Sequence, residues 1–253
     1  MSEEMMQSII GYWTKRADSY SKLNREELNW GMNERWLYAM ESLFPDKPRE
    51  EIRVLDIGTG PGFFAILLAE AGYFPDAVDC TEEMLKEARN NAGANEKNIS
   101  FHLMNADALE FENETFDIIV NRNLTWNLHD PCRCYEEWMR VLKPGGKAII
   151  FDANWYRYLY DEEARAMYDR DRDEVAKKAI IDFNIGDNYE VMENIALSLP
   201  MSRKMRPSWD REKMLEIGYG SVDICEDIWK LVWTEAEKTN YTSTPMFRIA
   251  ATK

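Results

Sequence analysis

The segment VLDIGTGPGFFAILLAE, residues 54–70, sets glycines at 58, 60 and 62 directly after an apolar run that ends in Asp56. IRVLDIG reads as a buried strand and GFFAILLAEAG as a helix stopped by Gly72, so the glycines fill a strand-to-helix turn. Backbone without Cβ atoms lets a ligand approach closely there. A triphosphate-binding loop needs a Lys-Ser/Thr pair after its last glycine, where this chain has Phe63 and Phe64. A dinucleotide fingerprint that starts at Gly58 needs its third glycine at 63, again a phenylalanine. What remains is an acid followed by three glycines at alternate positions, with no clear pyrophosphate cradle. It suits a nucleoside with an amino-acid tail better than one with phosphates, the Asp56 carboxylate either receiving an amine or orienting the loop.

Downstream the strand–helix alternation continues. DAVDC is a second strand, and TEEMLKEARNNAG a helix with Thr81 as N-cap and a glycine stop at 93. ISFHLMNAD is a third strand and FDIIVNR a fourth, nearly all apolar, as parallel strands covered on both faces are. DPCRCYEEWMRVL is a helix with Pro131 in its first turn, KPGG a turn, and KAIIFDA strand five. Five strands alternating with helices predict an α/β fold with a doubly wound, mostly parallel sheet and ligands at the strands' carboxyl ends.

The flanks differ from this core. Residues 5–44 follow helical spacing, with Trp30, Asn33, Trp36, Leu37 and Met40 largely on one face, until PDKPRE at 45–50 breaks the helix. After strand five, Tyr160, Ala164, Met167, Tyr168, Val175 and Ala179 fall near one stripe of an amphipathic helix. RPSWDREKMLEIGYG restores a sheet-covering helix before two last strands, SVDICEDI and PMFRIAATK. The expected organisation is an N-terminal helical cap at 1–45, a core at 46–154, an inserted helical lid at 155–206 and a sheet-completing segment at 207–253.

With 253 residues and 45% hydrophobic content, the chain can bury a sizeable core. A net charge of −15 disfavours nucleic acid as a partner and is compatible with a neutral or cationic ligand, or simply with a solvated surface. No apolar stretch approaches the ~20 residues of a membrane span, and the N-terminus lacks a signal-peptide pattern, so the cytoplasm is the expected compartment. Four cysteines are too few and too irregular for a disulfide framework, and Cys132-x-Cys134 reads as structural rather than metal-binding.

VLDIGTGPG, an acid closing strand two, NAD after strand three and VLKPGG before strand five, in that order at strand ends, together resemble the class I S-adenosylmethionine-dependent methyltransferases. The likeness is strongest to the small-molecule group that includes quinone-biosynthesis enzymes, and covers residues 51–152 well and 207–253 loosely. It implies a Rossmann-like seven-stranded sheet whose final strand is antiparallel. It further implies that Asp56, Gly58, Thr59, Gly60 and Gly62 line the methionine part of S-adenosylmethionine, that Asp79 accepts hydrogen bonds from the ribose hydroxyls, and that Asp107 with Ala106 and Ala108 reads the adenine edge. Asp79 lies 21 residues past Gly58 (79 − 58), close to the ~20-residue interval of a ribose-binding acid, and its charge would reject a ribose phosphate. Cys80 and Met84 fall where the family packs side chains on adenine, with helix-start packing as the alternative.

Asn121 and Asn123 follow strand four on the sulfonium side, as ligand contacts or as loop-satisfying amides. Tyr12, Arg16 and Tyr20 recur every four residues on one helix face, where family members fold a segment over the cofactor. Arg16 is a partner for the methionine carboxylate or an acidic substrate, or a solvated arginine among core aromatics. Methyl transfer from a sulfonium needs alignment and water exclusion more than a catalytic triad. Of two histidines, His102 lies within strand three, and His129, in the loop after strand four, is better placed to take a proton. Trp13, Trp126, Trp155 and Tyr156 are candidates for an aromatic wall on the acceptor side, suited to a planar aromatic or largely apolar acceptor or to the methyl-bearing cation, or for the core of the cap. The reading is a methyltransferase acting on a small molecule. The alternatives are modification of a protein or tRNA side chain, and a non-catalytic cofactor-binding scaffold.

Overall fold

Val54, Leu55 and Ile57 have almost no exposed surface because β1 (Val54–Ile57) runs through the middle of a sheet covered on both faces. The computed structural model describes residues 2–184 and 189–253. Beside β1 lie β2 (Asp76–Asp79) and β4 (Phe116–Arg122), then the edge strand β3 (Ser100–Leu103) and, on the other flank, β5 (Leu142–Asp152). With β6 (Ser221–Cys225) and β7 (Phe247–Thr252) the order is β3-β2-β1-β4-β5-β7-β6. The pairs among β1–β5 are parallel, whereas β7 runs antiparallel between β5 and β6. This is the doubly wound, mostly parallel α/β sheet expected from the sequence.

The period of two in each strand divides the core. Ala148, Ile150, Ile249 and Ala251 face α5 (Pro131–Val141) and α8 (Ser208–Ile217), packing with Tyr135, Trp138 and Met214. Ile149 and Phe151 face the opposite layer, with Trp36 and Met40 of α2 (Asn33–Glu41) and Phe63, Phe64 and Leu68 of α3 (Phe63–Glu70). Pro131 begins α5, and the Asp130 carboxylate accepts from Arg133 N at 3.1 Å as its cap. α4 (Glu82–Ala92) begins after Thr81 and ends at Gly93, as expected, although the Thr81 hydroxyl makes no capping bond.

Three local expectations need correction. The 5–44 segment is two helices, α1 (Ser2–Leu28) and α2, parted at residues 29–32, where Gly31 takes φ 72°. KPGG is not a turn ahead of strand five but a loop-out within β5: Phe116 pairs with Leu142 and Ile118 with Lys147, so residues 143–146 have no partners in the ladder. The expected lid stripe ends early, because α6 (Glu162–Lys177) stops before Ala179, which has φ 51°, and Tyr160 and Met167 are exposed. Residues 185–188 of that segment lie outside the described residues; α7 (Tyr189–Ala196) follows them and packs against α1. Two short helices not foreseen, α9 (Trp229–Val232) and α10 (Glu235–Asn240), precede β7.

The carboxyl end of β5 is anchored to α8 by a fully buried ion network. Arg206 bonds Asp152 at 3.0 Å and Asp210 at 2.9 Å, and Tyr135 donates to Asp210. Asp152 also accepts from Thr125 Oγ1 and from Trp126 N, which fixes the loop after β4 over the sheet's carboxyl edge. No helix among the described residues is long and apolar enough to cross a membrane.

Candidate functional site

The β1–α3 loop folds on its own hydrogen bonds. Gly58 N and Thr59 N both donate to Val78 O (2.8 and 3.0 Å), Gly60 N to Asp79 Oδ2 (2.9 Å) and Gly62 N to Thr59 O (2.9 Å). Pro61 has no N–H. Every amide from 58 to 62 is therefore committed inside the protein, and the loop has none to cradle a phosphate, unlike a helix-N-terminal anion site. Gly58 has φ 68°, which strains any other residue, and a Cβ there would meet Leu124 Cδ1 at 2.7 Å and push that side chain aside. Gly62, at φ 97°, allows α3 and α4 to approach: its Cβ would lie 3.2 Å from that of Ala88.

Two buried acids brace this loop. Asp56 Oδ2 accepts from Thr59 Oγ1 (2.7 Å) and from Ala65 N in the first turn of α3 (3.1 Å). Burial pushes its carboxyl up to about 7, with those two bonds opposing the rise. Of the two roles open to Asp56 in the sequence, orienting the loop is the one its hydrogen bonds perform. Asp79 Oδ2 takes Gly60 N and Oδ1 takes Thr81 N, both at 2.9 Å, and burial raises its carboxyl to about 6. Each oxygen thus carries one of these bonds, and the Thr81 hydroxyl and Cys80 N also favour the charged form.

A cleft of about 620 Å³, open mouth included, runs along these strand ends, a size within the ~300–1,000 Å³ of small-ligand sites. Of the sequence candidates, Tyr20, Gly58, Gly60, Asp79, Cys80, Met84, Ala106 and Asn123 line it, joined by Trp13. Burial lifts the Cys80 thiol to about 12, so it stands there as an uncharged apolar wall. Asn123 has φ 55°, with Oδ1 buried and unpaired, and behind it the fully buried Asn121 amide has neither its oxygen nor its nitrogen hydrogen-bonded.

Other candidates lie elsewhere. Asp56 and Thr59 line a small recess behind the loop, with Tyr20 and Phe63. Asp107 and Ala108 do not line the cleft themselves: Asn105 and Ala108 close a tight bridge, and the mostly buried Asp107 carboxylate lies 3.6 and 3.7 Å from His129 and Arg133, near enough to the cleft to act on the Cys80 thiol. His129 lines an outer groove with Glu4, Ser8 and Arg133 and not the cleft. Tyr12 is buried with Ile9, Met192 and Leu199 in the contact between α1 and α7. The four aromatics meet in one cluster, Trp13, Trp155 and Tyr156 packing around Trp126. Trp126 and Tyr156 pair at 5.0 Å in that same cap core, and Trp13 also lines the cleft and Trp155 a second chamber.

Arg122, which the sequence reading passed over, stands between the two cavities and lines both. Its guanidinium lies 3.9 Å from the Phe63 ring centre and makes a two-pronged pair with Glu27 of α1 (3.2 and 2.7 Å). Phe63 thus holds the place of the missing glycine because its ring carries this arginine. The signal was a charged residue closing an otherwise apolar strand. Arg16 lines the second chamber, together with Glu27, Glu237 and Trp233.

Residues 55–150 match the family described as a methyltransferase domain. Over 109 residues the chain is 32% identical to a ubiquinone biosynthesis O-methyltransferase of Coxiella burnetii, covering 42% of this chain and 47% of that protein. Over 149 residues it is 33% identical to a demethylmenaquinone methyltransferase of Deinococcus radiodurans, covering 58% of this chain and 60% of that one. The chain thus spans about half the length of the first of these relatives. In fold it is similar to a SAM-dependent methyltransferase of Aquifex aeolicus, at TM-score 0.57 and 18% identity over 94% of this chain and 97% of the other.

Proposed function

We propose that this chain, whose residues 55–150 match the methyltransferase-domain family, transfers a methyl group from S-adenosylmethionine to a small-molecule acceptor. The observation that carries the reading is the pairing of a glycine loop whose N–H groups are used within the protein with a buried acid that lines the cleft at the end of β2, Asp79. Such a site repels phosphate and receives vicinal hydroxyls. The names of the two quinone-related relatives support a small acceptor.

When bound, S-adenosylmethionine supplies an electrophilic methyl group on sulfur, displaced in line by the acceptor. The chain's part is placement. Asp79 would hold the ribose hydroxyls, and Cys80, Met84 and Ala106 would border the base with apolar surface. Gly58 and Gly60 keep the floor free of side chains, and Asn123 Oδ1, buried without a partner, is an acceptor that a ligand donor would satisfy. Tyr20 and Trp13 of α1 cover the cleft and exclude water. The fully buried Asn121 amide, unpaired on both atoms, fits a site completed by ligand or bound water.

Calorimetry with S-adenosylmethionine and S-adenosylhomocysteine tests this. The wild type should bind both, and Asp79→Ala should weaken binding at least about tenfold, the ~1.4 kcal/mol of a hydrogen bond to a charged group. No binding by the wild type, or undiminished binding by the variant, would reject the assignment.

A further inference from the structure

The chamber beyond Arg122 shares Tyr20, Arg122 and Asn123 with the cleft and is otherwise walled by segments far apart in sequence. Its aromatic rings form a continuous chain. Trp30 stacks on Phe183 (6.1 Å between centres), Phe183 on Tyr241 (6.2 Å), and Tyr241, Trp155 and Trp233 contact one another at 5.1, 5.5 and 6.5 Å. Two carboxylates stand among them, and they differ. Glu27 is neutralised by its two-pronged pair with Arg122. Glu237, 9% exposed, is held through Oε2 alone, by Thr234 N (2.7 Å) and Thr234 Oγ1 (2.8 Å). These bonds cap α10 and bring no positive charge. Burial raises the Glu237 carboxyl and Glu27 adds to the rise, with the Thr234 bonds and then Arg122 opposing it. Arg16, the other cation of the chamber, acts from α1 on the phenols of Tyr12 and Tyr20.

We propose that this chamber is the acceptor site and that it selects a cationic amine, held over the faces of Trp155, Trp233 and Tyr241 with its charge toward Glu237. Aromatic faces carry negative quadrupole density and attract ammonium groups, most strongly where water is excluded. A buried carboxylate without a cationic neighbour in contact gains most from a ligand that brings one. The overall charge of −15 favours the approach of cations. This rests on the methyltransferase reading only in calling the bound amine the acceptor; the selectivity itself is a property of the chamber.

The probes are benzyltrimethylammonium, benzyl alcohol and benzoate, titrated by tryptophan fluorescence and calorimetry with and without S-adenosylhomocysteine. Benzyltrimethylammonium should bind at least about tenfold more tightly than either of the others. Glu237→Gln, which keeps an oxygen for Thr234, should lose about five- to tenfold of that affinity while S-adenosylhomocysteine binds as before. Trp155→Leu should weaken the ammonium probe similarly, and far-UV circular dichroism establishes that both variants fold. Equal or tighter binding of the alcohol or of benzoate, or an ammonium affinity unmoved in both folded variants, overturns the inference. Loss of S-adenosylhomocysteine binding by the wild type, with ammonium selectivity intact, overturns the cofactor assignment instead.

Discussion

Replacing Asp56 by asparagine tests whether the first acid of the loop works through hydrogen bonds or through charge. Both of its bonds, from Thr59 Oγ1 and Ala65 N, end on Oδ2, so an amide oxygen in that place retains them. What the substitution removes is a buried charge. The Asp56 carboxyl is raised from 3.8 to about 7, chiefly by burial, and three units at ~1.36 kcal/mol each amount to about 4 kcal/mol against the ionised form. The unfolded chain releases this proton near pH 4, whereas the native state keeps it to about pH 7. Between those values the native state binds the extra proton, and wild-type stability falls as pH rises; above about pH 7 the contribution is constant. Asp56→Asn lacks this dependence. Two of the three units lie between pH 5 and 7, worth about 2.7 kcal/mol, and a domain of this size changes Tm by ~2–4 °C per kcal/mol. In thermal unfolding without ligand, the variant's Tm relative to wild type should therefore rise by about 5–10 °C from pH 5 to pH 8. A difference independent of pH, or one that moves against the variant as pH rises, would refute the idea that burial of charge dominates at Asp56.

Gly58→Ala should destabilise the fold by about 1–2 kcal/mol for the left-handed backbone alone and abolish S-adenosylhomocysteine binding as Leu124 is displaced; denaturant unfolding and calorimetry read the two effects. Glu27→Gln leaves the Arg122 guanidinium, whose side chain is 9% exposed, with a weaker partner, and should cost about 3 kcal/mol; Arg122→Met in the same chain should restore part of that loss in urea unfolding. His129→Ala removes a mostly buried 3.6 Å pairing with Asp107 and should cost about 1 kcal/mol in urea unfolding, leaving S-adenosylhomocysteine affinity unchanged by calorimetry.

The core was legible because its signals are local. β1, β2 and β4 are short apolar runs ended by an acid, a glycine or an asparagine, and parallel strands covered on both faces leave that imprint in the chain. Asp79 and the glycines were legible for the same reason, their spacing being fixed within one βαβ unit. The KPGG segment misled because Gly and Pro punctuate a loop-out as readily as a turn. The chamber was legible only in Trp155 and Arg16: Glu27 of α1 and Glu237 of α10 are brought beside them by tertiary packing, and no periodicity links residues so far apart. Glu237 also carries an ordinary local role as the capping-box partner of Thr234, which masks any other. The aromatics share the cap core, and Trp13 and Trp155 line cavities as well, because a tryptophan serves packing and ligand contact equally well.

A crystal structure with S-adenosylhomocysteine tests the proposed cofactor site most directly. The ribose hydroxyls should lie within hydrogen-bond distance, about 2.6–3.0 Å, of the two Asp79 oxygens, the base should border Met84, Cys80 and Ala106, and the sulfur should point toward Asn123 and the chamber behind Arg122. Density for the ligand in the outer groove beside His129, or in the cleft with Asp79 bonded only to Gly60 and Thr81, would contradict it.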